Sequence, residues 1–323
     1  MCQRNGRLMA SSKGVVIAAM IANGAIAVLK FFGFLLTGSP AMLSETYHSI
    51  SDTGNQVFLL IGIRYGEQEA SRLHPFGYGK AQFFYSFLVS VLLFGIAGWE
   101  SATHGYEALL HGSQRALSGT VTYLGTTVPS VWVNYAVLGG GLVFESWAFA
   151  KAYRATVADM ERHGWETLRE SFSKTSNTTL LTALTEDTVA LLGLGLALVG
   201  IYLTQLTGNH LYDAAAALLI GVLLMGFALA LAWQNKRLLL GESLPKAAEA
   251  ELRTIVREWP TVEHIEDFRT VYFGPDDVVV AADVAFVSDL DTDEMDETIT
   301  GIEDALKEAN PAVNKVYIEP EAE

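Results

Sequence analysis

The chain has 323 residues, half of them hydrophobic, and a positive mean hydropathy, more apolar character than a soluble domain of this size needs for its core. The net charge of −15 is unevenly spread: residues 241–323 hold 22 acidic and 6 basic side chains, leaving 14 and 15 in the first 240. The acidic tail argues against nucleic acid or anionic lipid as its partner, and the single cysteine, Cys2, excludes a disulfide framework or a thiolate metal cluster within one subunit.

Six apolar stretches have the length a bilayer demands, about 20 residues. They run over Gly14–Leu36, Ala41–Ile63, Phe83–Gly105, Val131–Ala150, Thr178–Thr204 and Leu211–Trp233. Arg4, Arg7 and Lys13 precede the first, which is too long for a signal-peptide core and reads as a retained anchor. Lys and Arg recur after the second span (Arg64, Arg72, Lys80), the fourth (Lys151, Arg154, Arg162, Arg169, Lys174) and the sixth (Lys236, Arg237), whereas the alternate loops hold only Arg115. The positive-inside rule then puts both termini in the cytoplasm. Residues 1–240 form the expected transmembrane domain and residues 241–323 a soluble cytoplasmic one.

The second span is far too polar to face lipid: Ser44, Glu45, Thr46, Tyr47, His48, Ser49, Ser51, Asp52, Thr53, Asn55 and Gln56 crowd one helix. His48 and Asp52 stand one turn apart on one face, with Glu45 and Asn55 three residues outside them on the same stripe. An imidazole beside a carboxylate is a common ligand pair for zinc and related metals. The fifth span supplies Glu186 and Asp187 inside an otherwise apolar helix. Asp52 and Asp187 both fall about 14 to 16 Å from their helix starts, so both reach the middle of the membrane. Adjacent helix positions diverge by about 100°, which favours Asp187 as a ligand and Glu186 as a proton acceptor or supporting residue. Lys30 reads as a structural cation that pairs or snorkels, and Glu100, Glu107 and Glu145 as charges near helix ends.

The tail begins with an amphipathic helix, Ala247–Glu258, stopped by Pro260. Strands over Ile265–Phe273 and Val278–Val287 flank the Gly274–Pro275–Asp276–Asp277 turn, and a helix over Asp293–Ala309 and a strand over Asn314–Ile318 complete an α-β-β-α-β order, a small ferredoxin-like α+β sandwich.

The sequence resembles the cation diffusion facilitator family over nearly its whole length. Carrying the resemblance are Lys30 with Thr37-Gly38-Ser39, His48-Ser49-Ile50-Ser51-Asp52, His74-Pro75-Phe76-Gly77-Tyr78-Gly79-Lys80 and Asp213, while Leu184-Thr185-Glu186-Asp187-Thr188 is similar to the branch represented by zinc transporter nine. The resemblance implies a homodimer in the plasma membrane of a prokaryote that exchanges zinc, or manganese, iron, cobalt or cadmium, for protons, with no tightly bound cofactor. It implies a metal site of His48, Asp52 and Asp187, supported by Glu186, Glu45 and Asn55, and an accessory loop site at His74. Two positions depart from the common zinc-exporting pattern: Ala183 stands where a fourth ligand His is usual, and Tyr78 where the loop usually has a second His. No phosphate-cradling loop follows a strand, so ATP is not implied. A membrane metalloenzyme and a non-transporting scaffold with a partner-binding acidic tail are the rival readings. The chain has no H-E-x-x-H helix to favour the first.

Overall fold

The structure is a computed structural model and describes residues 20–21, 23–111, 120–123, 126–163, 167, 178–288 and 290–321. Arg4, Arg7, Lys13 and the first part of the expected first span lie outside them. Six membrane-domain helices stand where six spans are expected: α1 (Asn23–Thr37), α2 (Pro40–Gly66), α3 (Lys80–His111), α4 (Ser130–His163), α5 (Thr178–Thr207) and α6 (Leu211–Leu240). Among the described residues three helical stretches are long and apolar enough to cross a bilayer, Lys80–His111, Leu184–Thr207 and Leu211–Leu240. The described part of α1 is short, α2 carries the polar stripe, and α4 carries a charged C-terminal half that runs well beyond Ala150, where sequence alone ends the span.

Large side chains on these helices are exposed, among them Leu29, Phe32, Trp99, Trp147, Val199, Tyr202, Leu229 and Trp233. In water such a surface would drive aggregation; against lipid it costs nothing. The interior of the helical unit packs Met42, Leu93, Leu138, Leu194, Ile201, Ile220 and Leu224. Two features escaped sequence reading: a short antiparallel hairpin, β1 (Thr120–Tyr123) with β2 (Thr126–Pro129), and a π-helical turn at Leu93–Gly98 inside α3.

Helices α3 and α6 approach through small residues. A Cβ placed on Gly105 would collide with the Leu218 backbone, and one on Gly221 with the Ala102 backbone, while Ser101 Oγ donates to the Ala217 carbonyl at 3.2 Å. Without a hydrophobic force between helices in lipid, this close backbone packing is what holds such a pair together.

The turn between α1 and α2 is fixed by polar bonds. Gly38 adopts φ +67°, a left-handed conformation that favours glycine, and Ser39 Oγ accepts from the Met42 N–H at 3.2 Å while donating to Asp213 Oδ1 at 3.0 Å. The Asp213 N–H in turn donates to Thr204 Oγ1 at 3.1 Å. Asp213, which sequence places only at the opening of α6, thereby ties that helix to α1, α2 and α5.

The second compact unit takes in Gln234–Glu323 together with Ile61–Tyr85. Its tail has the expected α-β-β-α-β order: α7 (Lys246–Arg257), β3 (Val262–Gly274), β4 (Asp277–Phe286), α8 (Thr292–Ala309) and β5 (Val313–Glu321). In the sheet, β4 lies centrally, antiparallel to β3 and parallel to β5. Leu252, Val256, Ile302 and Leu306 pack onto Phe268, Val280, Val284 and Val316 to form its core. Asp291 caps α8, its carboxylate accepting from the Asp293 and Glu294 N–H groups.

Two outcomes are expected from this packing. Gly221→Val should loosen α3 from α6 and lower stability by about 1–3 kcal/mol, the usual cost of overpacking, read as a lower melting temperature in detergent. Ser39→Ala should cost about 1–3 kcal/mol by leaving the buried Asp213 carboxylate short of a donor, whereas Ser39→Thr should recover most of the loss.

Candidate metal centre

The polar face of α2 is anchored at both ends to other helices. At one end Glu45, fully buried, takes an ion pair from Lys30 of α1, Nζ to Oε2 at 2.9 Å. At the other, Asn55 Nδ2 donates to Glu186 Oε1 of α5 at 2.6 Å. Between these anchors His48 Nε2 meets Asp52 Oδ2 at 3.1 Å. The helical spacing of Glu45, His48, Asp52 and Asn55 makes this possible, because steps of three and four residues keep all four on one stripe.

This arrangement leaves particular atoms open. The Nδ1 of His48 is buried and accepts or donates no hydrogen bond. In the neutral tautomer whose Nε2–H faces Asp52, the imidazole presents the Nδ1 lone pair; in the other, Nε2 and the Asp52 carboxylate are adjacent donors that one cation can bridge. Asp52 has one oxygen engaged by His48 and one remaining. An orphaned nitrogen in a protein interior costs free energy unless something occupies it, which fits a site for a cation.

Asp187 interacts electrostatically with Asp52, and Glu186 with both. Helix α5 therefore brings its two carboxylates to the α2 stripe. Among the described residues, no three His, Cys, Asp or Glu side chains converge tightly enough to form a closed cage. His48 and Asp52 are in direct contact, Glu186 bonds to Asn55, and Asp187 completes the acidic side. The backbone of Ala183 lies in α5, and its side chain is outside what the structure describes.

Sequence reasoning missed Glu145. It was read as a charge near a helix end, but α4 continues to His163, so Glu145 sits in mid-helix, buried, in electrostatic reach of Asp52, Asp187, His48 and Lys30. The available signal was its position inside the apolar run from Gly139 to Ala150. Lys30 takes the pairing alternative of the sequence reading: fully buried, it is paired with Glu45, a residue expected to support the metal site.

His74 belongs to the second compact unit. Its ring packs against Tyr78 at a tilt of 35°, centroids 4.2 Å apart, in a turn where its backbone N–H donates to Ser71 Oγ, and Ser71 Oγ lies 3.1 Å from Tyr78 Oη. Tyr78 thus occupies the neighbouring ring position with a phenol. In the tail His264 pairs with Glu266 at 2.7 Å on an exposed surface.

Comparison with known proteins agrees with this architecture. Residues 16–240 match the cation efflux transmembrane domain, and residues 244–323 the cytoplasmic domain of cation efflux proteins. The chain is 30% identical over 275 residues to the mitochondrial proton-coupled zinc antiporter of Homo sapiens, covering 84% of this chain but 45% of that relative, so it spans somewhat under half of its length. It is 24% identical over 275 residues to a metal tolerance protein of Arabidopsis thaliana, covering 85% of this chain and 57% of the relative. It is also 26% identical over 276 residues to a cation-efflux pump of Salmonella typhi, covering 85% and 80%. With a transmembrane domain and a cytoplasmic domain both matched in order, the chain is an integral membrane protein that belongs to the cation efflux family of transporters.

Proposed function

We propose that this protein exports a divalent metal ion, zinc first among the candidates, from the cytoplasm in exchange for protons. The observation that carries the reading is the contact between buried His48 and half-buried Asp52, an imidazole beside a carboxylate, with the acidic pair of α5 in electrostatic reach of Asp52. His48, Asp52 and Asp187 hold the dehydrated ion, and Glu186, tethered by Asn55, accepts protons beside it. Glu145 adds a further carboxylate from α4. Zinc is supported by the mixed nitrogen and oxygen donors and by the name of the human relative; manganese, iron, cobalt and cadmium suit the same donor types.

Six spans carry this site, with both termini in the cytoplasm according to the Lys and Arg asymmetry of the loops. Residues 1–240 form the transport domain and residues 241–323 the domain through which two copies pair, a division supported by the two matched domains. The membrane is the plasma membrane of a prokaryote, where a proton gradient drives turnover. Membership of a transporter family sets aside the metalloenzyme reading.

Transport then proceeds by alternating access. Deprotonated ligands bind metal from the cytoplasm, and protonation on the far side competes for the same lone pairs and releases it. The buried Lys30–Glu45 and Asn55–Glu186 contacts keep α1, α2 and α5 in register around the ion, while Asp213 and Ser39 hold the ends of α6 and α2 together.

Purified protein in liposomes tests the site directly. Asp52→Ala and Asp187→Ala should each lower zinc flux by more than the roughly 10–100-fold that loss of a supporting residue brings, with monodisperse protein retained. Near-normal flux in either variant would remove that residue from the site. Metal binding should release protons to the buffer, and affinity should fall as pH drops from about 8 to 6, because imidazole and carboxylates bind metal only when deprotonated. Calorimetry in buffers of different ionisation enthalpy counts those protons; no release, together with flux indifferent to an imposed pH gradient, would leave a uniporter instead.

A further inference from the structure

Lys30 is the single buried Lys or Arg among the described residues, and its ion pair with Glu45 stands one helical turn from His48. Burying an ion pair costs several kcal/mol per ion in desolvation, and apolar residues of similar volume often serve packing as well or better. A purely structural joint between α1 and α2 would therefore not need these charges. Glu45 also keeps one oxygen in reserve: Oε2 is engaged by Lys30, but Oε1 is buried with no hydrogen-bond partner. Gly193 of α5 leaves room for that oxygen, since a Cβ there would clash with it. Gly141 of α4, four residues before Glu145, lies beside the Lys30 side chain, where a Cβ would meet Lys30 Cε at 3.7 Å.

A carboxylate with a free oxygen, one turn from a metal-binding imidazole and in a low-dielectric interior, attracts a divalent cation strongly unless a fixed positive charge opposes it. Lys30 is that charge, and it acts also on His48 of α2 and Glu145 of α4. With Glu45 held off, the ion meets a small mixed set of nitrogen and oxygen ligands, the kind zinc accepts in four-coordination. With Glu45 released, the set gains an oxygen ligand and moves towards the oxygen-rich, higher-coordinate environment that suits manganese.

We propose that Lys30 is a specificity-determining residue, which, by binding Glu45, keeps that carboxylate out of the ion's ligand set and so favours zinc over manganese. The proposal rests on the reading of His48, Asp52 and Asp187 as the transport site. Lys30 touches no cargo; it acts through Glu45, so the quantity to read is a ratio between metals rather than total flux.

The experiment measures zinc and manganese uptake by the full chain in liposomes, with Asp52→Ala as the inactive control. Lys30→Met should lower the zinc-to-manganese ratio by about tenfold, the lower end of what loss of a supporting interaction does to metal affinity. Lys30→Met combined with Glu45→Gln should return the ratio to that of the unaltered protein, because the competing carboxylate is then gone. A ratio unmoved by Lys30→Met, or a shift that persists in the double variant, overturns the proposal. Should Lys30→Met not yield monodisperse protein, Glu45→Gln alone decides: an unchanged ratio supports a carboxylate held off the ion, and a changed ratio identifies Glu45 as a ligand and overturns it. Absence of flux in the unaltered protein would instead overturn the transport reading on which the proposal stands.

Discussion

A charge placed in hydrocarbon must find a partner, and that constraint organises the helical unit of this protein. Among the described residues four polar contacts meet that demand: Lys30 meets Glu45, His48 meets Asp52, Asn55 meets Glu186 and Ser39 meets Asp213. Three of these contacts join different elements, α1 to α2, α2 to α5 and the turn before α2 to α6. The polar groups that make a site possible therefore also specify how the helices pack, while apolar faces, interchangeable in lipid, cannot. The α3–α6 pair shows the complementary solution, where glycines bring backbones together and one serine bond suffices.

Much of this was legible in the sequence because helical periodicity is a local property. The stripe Glu45, His48, Asp52, Asn55 follows from spacing alone, and the meeting of α2 with the acidic pair of α5 follows from equal depth along two helices. The tail was readable for the same reason: Pro260 and the Gly274–Asp277 turn punctuate it, and the described elements fall within a few residues of the expected ones. Spacing says which residues share a face, however, and not which neighbouring helix that face meets. Glu45 was thus placed on the correct stripe but given no partner, although its partner Lys30 was in plain view. Glu145 was misjudged for a related reason. The apolar run ends near Ala150, but α4 continues to His163 through charged residues, so a position near the edge of the hydropathy signal is the middle of the helix.

The hairpin β1–β2 and the π-helical turn in α3 mark a second limit. A four-residue strand pair has too little alternation to stand out, and a π turn adds one residue to a helix without altering its composition. Both depend on tertiary surroundings. The turn sits where α3 meets α6 at Gly98, whose Cβ would press against Met225.

Charge balance links the proposed site to its proposed driving force. Once Lys30 is set against Glu45, Asp52 and the carboxylates in its electrostatic reach, Glu145, Glu186 and Asp187, amount to four negative charges when all are ionised. One divalent ion offsets two of them. In a low-dielectric interior the remaining two are costly, so an occupied site still calls for positive charge, and an empty one calls for more. Protons are the cations small enough to arrive at individual oxygens without rebuilding the ligand set. Under the proposed exchange, the surplus that would draw a metal ion into the membrane would also oblige protons to enter as it leaves, through carboxylates that three helices, α2, α4 and α5, bring together.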